Sequence, residues 1–336
     1  MNEGVRQRSG SVPGLAEVAA LIGPKLAAVE IELQRNLRSE FGPIDDAGRY
    51  LAEGGGKRVR PALVLLTTGL LGYTGEQDVL LGAVYEFIHT ATLVHDDIID
   101  EAETRRGRPS LNRVYGNHFT VLIGDYLYIR SMNMALVAGK LRLIEILAEA
   151  AERMIEGEIL AHRLRGRSDV SREQHMQIVQ RKTAWLFAGC CRAAAVLAGA
   201  SERVENDLAR FGMSLGIAFQ LVDDLLDLTA DERQLGKPVA SDLREGRLTL
   251  PLIDLLERGG PEEREGVRRV LEDGSFERYS FAKLRAGLER YECLEASRRL
   301  AEQEAEAARQ IMRGFPAGAY RDLLLALPDM LIYRDK

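Results

Sequence analysis

The chain has 336 residues, 46% of them apolar and 6% aromatic, with a formal net charge of −6. A general nucleic-acid binder is usually basic, so nucleic acid is not an expected partner. No stretch of about 18 uncharged apolar residues is present, so no membrane-spanning helix is expected. The three cysteines, Cys190, Cys191 and Cys293, lack any C-x-x-C or histidine spacing. That argues against a disulfide framework or a zinc site and fits a reduced, cytoplasmic setting.

Residues 1–14 lack the apolar core of a signal peptide and read as a disordered leader. From 15 to 336 helical periodicity dominates, and the composition favours helix over sheet. The spacing predicts a helix over 15–40, a break at Phe41-Gly42-Pro43 and a glycine run at 54–56. Pro61 then opens an apolar helix, and a turn at 72–75 precedes a long helix over 79–101. A loop at 107–109 follows, then helices over 121–139, 141–165, 172–200 and 203–228. A polar loop spans 231–247, and an apolar helix runs from 250 to 258. The remainder, 261–336, alternates charged and apolar residues and reads as shorter helices, and no strand signal stands out anywhere. No linker is long enough to separate domains. Residues 15–336 are therefore expected to form a single all-α domain, a helical bundle around a central cavity.

One short element occurs twice, as His95-Asp96-Asp97-Ile98-Ile99-Asp100 and as Val222-Asp223-Asp224-Leu225-Leu226-Asp227. At about 100° per helical residue, the first and fifth positions of D-D-x-x-D sit about 40° apart. Each cluster therefore presents a stripe of carboxylates inside an apolar run, where an uncompensated charge is very costly. Mg²⁺, which takes oxygen ligands and shares itself between carboxylates and substrate phosphates, is the natural neutralising ion. A single D-D-x-x-D is more often a solvated helix face, and it is the pair that carries the argument.

Candidate phosphate-binding groups flank both clusters. Gly54-Gly55-Gly56-Lys57-Arg58-Val59-Arg60 sets glycines and three cations before a helix start, without P-loop spacing. Arg105 and Arg106 follow the first cluster, and arginine's planar fork suits phosphate, although a simple salt bridge to the aspartates explains them equally well. Lys182 and Thr183 lie in an apolar helix, and Lys237 lies in the loop after the second cluster. His89 falls within about 20° of Asp96 on the helix surface, two turns earlier.

In order, G-G-G-K-R-V-R-P, E-F-I-H-T-A-T-L-V-H-D-D-I-I-D, R-R-G, G-D-Y, R-K-T, F-Q-L-V-D-D-L-L-D, G-K and D-L-x-x-G-R-x-T-L-P make the chain resemble the trans-isoprenyl diphosphate synthases, or polyprenyl synthetases. The segment before the first cluster is similar to that of octaprenyl-type, long-chain members. The resemblance implies an all-α isoprenoid-synthase-type bundle with the two clusters on facing helices. It implies that Asp96, Asp97, Asp100, Asp223, Asp224 and Asp227 hold Mg²⁺, three ions with substrate bound and Mn²⁺ as an alternative. It assigns Arg105, Lys182, Thr183, Gln220 and Lys237 to the allylic diphosphate, and Lys57, Arg60, His89 and Arg106 to isopentenyl diphosphate. Asp96, Asp97, Asp100, Lys182, Asp223 and Lys237 would carry the catalysis. One departure is Arg247, where the family pattern has lysine.

The implied reaction ionises farnesyl or geranylgeranyl diphosphate, adds the isopentenyl double bond and loses a proton, repeatedly. Small residues at Ala91 and Thr92, where short-chain relatives carry aromatics, predict an open tunnel past Ala91, Ile88 and Val84 and a long all-trans product. A quinone side chain is the natural end use. The resemblance also implies a homodimer, with at most peripheral membrane contact for product release. Four readings compete: a short-chain synthase, a partner-dependent subunit (a class that typically has degraded aspartate motifs, whereas both are intact here), a terpene cyclase, and a structural helical protein with solvated acidic stripes.

Overall fold

The structure, a computed structural model, describes residues 15–229 and 239–332. The leader expected over 1–14 and Lys237 lie outside the described residues. Helices α1 (Leu15–Leu37), α2 (Gly42–Glu53), α3 (Val59–Leu70) and α4 (Gln77–Ile99) precede a two-strand hairpin, β1 (Thr104–Arg105) and β2 (Arg108–Pro109). Then come α5 (Leu111–Tyr115), α6 (Asn117–Val137), α7 (Leu141–Leu164), α8 (Arg172–Ile178), a π-helical turn (Val179–Ala184), α9 (Trp185–Leu197) and α10 (Glu202–Thr229). After the gap lie α11 (Ser241–Arg244), α12 (Leu250–Arg258), α13 (Pro261–Asp273), α14 (Phe281–Arg290), α15 (Cys293–Arg313) and α16 (Ala319–Ile332).

The all-α expectation holds, with local differences that have physical causes. The hairpin, unexpected from sequence, is antiparallel, pairing Thr104 with Pro109 and Arg105 with Arg108. Its two loop residues, Arg106 and Gly107, have φ of 53° and 75°. Two left-handed residues in succession match the twist of a tight hairpin. The helix expected over 121–139 begins earlier, at Asn117, and is separated from α5 by Gly116 at φ 82°. The last region holds one long helix, α15, rather than only short ones.

Two helices place the aspartates. In α4, Leu81, Val84, Phe87, Ile88, Ala91 and Val94 recur every three or four residues and are buried. Each of these side chains larger than alanine contributes roughly 1.5–3 kcal/mol on burial. That apolar face fixes α4 against α3, α6 and α9, and α10 packs between α9 and α15. The π-helical turn sits against both α7 and α10. A Cβ on Gly157 of α7 would come within 2.7 Å of the Lys182 backbone nitrogen, and one on Gly216 of α10 within 2.6 Å of Ala184 Cα. Only glycine permits these approaches, so both helices close on the turn that carries Lys182 and Thr183. All three cysteines are buried and free. Among the described residues no helix is long and apolar enough to cross a membrane.

Candidate active site

A cleft of about 1150 Å³ opens between α4, α7, the α8–π turn, α10 and the segment 241–249. Asp96 and Asp100 face it from the end of α4, and Asp223 and Asp224 from α10. The other two aspartates depart from the six-ligand expectation. Asp97, about 100° round the helix from Asp96, lines a neighbouring cavity instead, where Arg105 Nε and Nη2 reach its Oδ1 at 2.7 and 2.6 Å. Asp227 is 2% exposed, and its carboxylate accepts from the Ser241 hydroxyl at 2.6 Å and from the Ser241 and Asp242 amides at 3.2 and 3.1 Å. It holds the segment after α10 in place.

Among the described residues, no three metal-ligating side chains converge on one point. The four cleft carboxylates nevertheless fit Mg²⁺. They are hard oxygen donors offered from two facing helices, which leaves much of an octahedral shell to water and substrate oxygens. One donor is underused: Asp224 Oδ2 is buried without a hydrogen bond, and His175 Nε2, 3.2 Å away, is out of line for one.

The cationic set is partly assembled. Lys182 Nζ lies 3.7 Å from Asp96 Oδ2 and is ion-paired with Glu158. Burial pulls its pKa down, but Asp96 and Glu158 outweigh that and raise it, so it is held as a cation. Thr183 Oγ1 donates to Gln220 Oε1 at 2.7 Å, and Gln220 Nε2 donates to Asp224 Oδ1 at 2.8 Å. The π turn is thereby coupled to the second cluster. Arg60 and His89 line the cleft. Arg60 Nε is buried without a partner, and the guanidinium lies 5.4 Å from the Phe187 ring centroid. Burial, then the guanidiniums of Arg60, Arg106, Arg105 and Arg58, push His89 well below the usual histidine range, so it is neutral near pH 7. Arg106 instead reaches the Gly54 carbonyl at 3.3 Å in the neighbouring cavity, and Lys57 is exposed. Three of the four groups expected at the isopentenyl site, Arg60, His89 and Arg106, are therefore within electrostatic reach of one another.

The tunnel expectation changes. Thr92 lines the cleft, but Val84, Ile88 and Ala91 do not; they are 0–1% exposed in the core. The reason is angular: Thr92 is about 40° from Asp96 round α4, whereas the other three are about 80–140° away, on the face that packs inward. Met154 and Ile155 of α7 line the same cleft, as does Tyr128 of α6, whose ring stacks on that of His95 with centroids 6.4 Å apart.

Sequence reasoning missed Glu158, His175, Arg165, Ser241 and Asp242. Asp242 opens the D-L-x-x-G-R-x-T-L-P motif but had no assigned role, the others belong to unremarkable local runs, and only the fold brings each to an aspartate. Glu158 had one faint signal, its place beside the constrained Gly157.

Burial raises the Asp96 carboxyl to about 6, with Lys182 opposing and Glu158 and Asp100 adding to the rise. The folded-state pKa is thus above the ordinary value of 3.8. Without metal, this group's contribution makes stability improve as pH falls through about 6 toward 4, and its cost is fully present above that window. Metal needs the carboxylate, so Mg²⁺ binding at pH 6 is expected to release about half a proton from Asp96, and much less at pH 8. Calorimetry in buffers of different ionisation enthalpy measures that release.

The fold and the cleft together define an all-helical protein suited to gripping a diphosphate between divalent ions and fixed cations. The sequence model for polyprenyl synthetases matches residues 43–285. Octaprenyl diphosphate synthase of Escherichia coli (strain K12) is 37% identical over 96% of this chain and 99% of its own. A polyprenyl synthase from Caulobacter crescentus, solved with calcium and isoprenyl diphosphate, superposes with a TM-score of 0.90 at 33% identity, covering 97% of this chain and 99% of that one. A decaprenyl diphosphate synthase from Rhodobacter capsulatus gives 0.89 at 36% identity, over 96% and 99%. The chain belongs to the polyprenyl synthetase family.

Proposed function

We propose that the chain is a long-chain trans-polyprenyl diphosphate synthase, condensing farnesyl or geranylgeranyl diphosphate with successive isopentenyl diphosphate units. The observation that carries this reading is the pairing of Asp96 and Asp100 with Asp223 and Asp224 around one cleft, with Lys182 beside them. The names of relatives such as the octaprenyl and decaprenyl synthases support a long product.

Asp96, Asp100, Asp223 and Asp224 would hold Mg²⁺, which when bound offsets the negative charge growing on the departing diphosphate. Lys182 and Arg105 add fixed positive charge at the same end of the cleft, Arg105 steadied by Asp97. The C–O bond of the allylic substrate breaks and diphosphate leaves with the electron pair. Arg60 and neutral His89 hold the second substrate so that its double bond attacks the allylic carbon, which is where proximity gains rate. Diphosphate takes the proton lost from the product. Thr183 and Gln220 fix Asp224 and keep the π turn in register. Lys237, Lys57 and Arg106 complete the proposed diphosphate contacts.

Six apolar side chains are more than a third exposed along α6 and into the start of α7: Val121, Leu122, Ile129, Leu136, Val137 and Leu141. Together they suit burial against a second copy, which supports a homodimer. We place the reaction in the cytoplasm, with peripheral membrane contact as the product leaves.

The test is incubation of the purified protein with Mg²⁺, farnesyl diphosphate and labelled isopentenyl diphosphate, followed by sizing of the product. A ladder ending at hexaprenyl or longer is expected. A geranylgeranyl-sized end product would overturn the long-chain reading, and no incorporation by folded protein would overturn autonomous activity.

A further inference from the structure

Arg247 stands where the family pattern has lysine, and its contacts give the difference a consequence. Its Nη1 donates to Asp100 Oδ1 at 2.9 Å, and its Nη2 donates to Asp242 Oδ1 at 3.0 Å and to the Glu245 carboxylate. Asp100 has a second cation nearby, Arg165 Nη1 at 3.6 Å. Arg165 Nε in turn donates to the Glu245 carbonyl at 2.7 Å, and the Gly166 amide donates to the Gly246 carbonyl at 2.8 Å. At the other end of the same segment, Asp227 holds Ser241 and Asp242. Residues 241–247 thus form a strap fastened to α10 through Asp227 and to α4 through Arg247 and Asp100. A planar guanidinium can hold Asp100 and Asp242 at once, whereas a lysine ammonium is a single point on a flexible stem.

We propose that Arg247 is the resident counter-ion of Asp100 and sets the affinity of the first aspartate cluster for divalent metal. A metal ion that binds Asp100 shares the carboxylate with the guanidinium held on Oδ1, and bidentate ligation needs that oxygen released, so the ion competes with an internal cation. The inference rests on the reading of the clusters as metal-holding. It gives Asp100 a different status from Asp96, whose nearest cation, Lys182, stands 3.7 Å off.

The experiment titrates the full-length protein with Mn²⁺ and follows the free-ion electron paramagnetic resonance signal, with circular dichroism to confirm folding. Arg247→Gln is expected to tighten Mn²⁺ binding about tenfold, as loss of a charge-assisted competitor implies, with Arg247→Lys in between. Arg244→Gln removes the same charge from the same strap, but its guanidinium stacks on Phe276, 4.8 Å from the ring centroid. It is expected to change binding by less than about twofold, because the half-buried Arg244 side chain is engaged by the Val239 carbonyl at 3.4 Å and by Phe276 rather than by a cluster carboxylate. Binding by the Arg247 variants equal to or weaker than wild type overturns the proposal. So does equal tightening by Arg244→Gln, which would make the effect one of net charge alone. If Arg247→Gln fails to fold, Arg247→Lys decides by the same criteria. If folded wild type and all variants take up no Mn²⁺, the metal-cluster reading itself falls, and this inference with it.

Discussion

Asp96→Asn and Asp223→Asn are each expected to lower kcat/KM by about 10²–10³-fold with the fold intact, measured by isopentenyl incorporation at saturating Mg²⁺. The magnitude is that of removing one preorganised charge-stabilising contact from a site where negative charge develops. Both side chains face the cleft, so each loss falls on ionisation of the allylic substrate. The two motif aspartates that do not line the cleft, Asp97 and Asp227, should behave differently, and this is the sharper expectation. Asp97→Asn loosens Arg105, whose two contacts converge on a single Asp97 oxygen. Its main effect should be a higher KM for the allylic diphosphate. Asp227→Asn removes the charge and replaces one of the two acceptor oxygens that satisfy Ser241 and Asp242 in a buried position. Its main effect should be a loss of about 1–3 kcal/mol in stability, read from thermal unfolding. Equal kinetic losses at all the aspartates, without change in stability, would mean that all six are ligands.

Thr92→Phe is expected to shorten the product by several isoprene units, seen as a ladder that stops early on reverse-phase chromatography. Thr92 is the member of the proposed chain-length stripe that lines the cleft, which Met154 and Ile155 also line. An aromatic ring there would occupy the path of the growing tail while leaving the carboxylates untouched. Large residues at Ala91, by contrast, enter a fully buried position. Overpacking typically costs about 1–3 kcal/mol, so their first effect should be on stability. An unchanged ladder from Thr92→Phe would place the tail along a different wall.

Much of this protein was legible before folding. The repeated D-D-x-x-D, its apolar setting and the ordered glycine, arginine and lysine motifs identify the family, because each feature is local and close to the chemistry. Helix identity was equally local: α12 begins and ends at the residues that the apolar run predicts, Leu250 and Arg258. The short hairpin escaped because four residues carry no periodicity, and its signal lay in the left-handed pair Arg106 and Gly107. The π-helical turn escaped too, since its cause is the approach of α7 and α10 at Gly157 and Gly216 rather than anything within 179–184.

The sequence by itself determined the set of charges this protein would have to reconcile, six aspartates in apolar helices and the cations to match. Only the tertiary structure decided which charge answers which. Asp97 went to Arg105, Asp227 to the Ser241 turn, Asp100 to Arg247 and Asp96 to a looser contact with Lys182. Helical geometry sends neighbouring residues about 100° apart, so adjacent aspartates of one motif face different surroundings. Their partners come from segments as far as 147 residues away in the chain. No local pattern encodes that pairing.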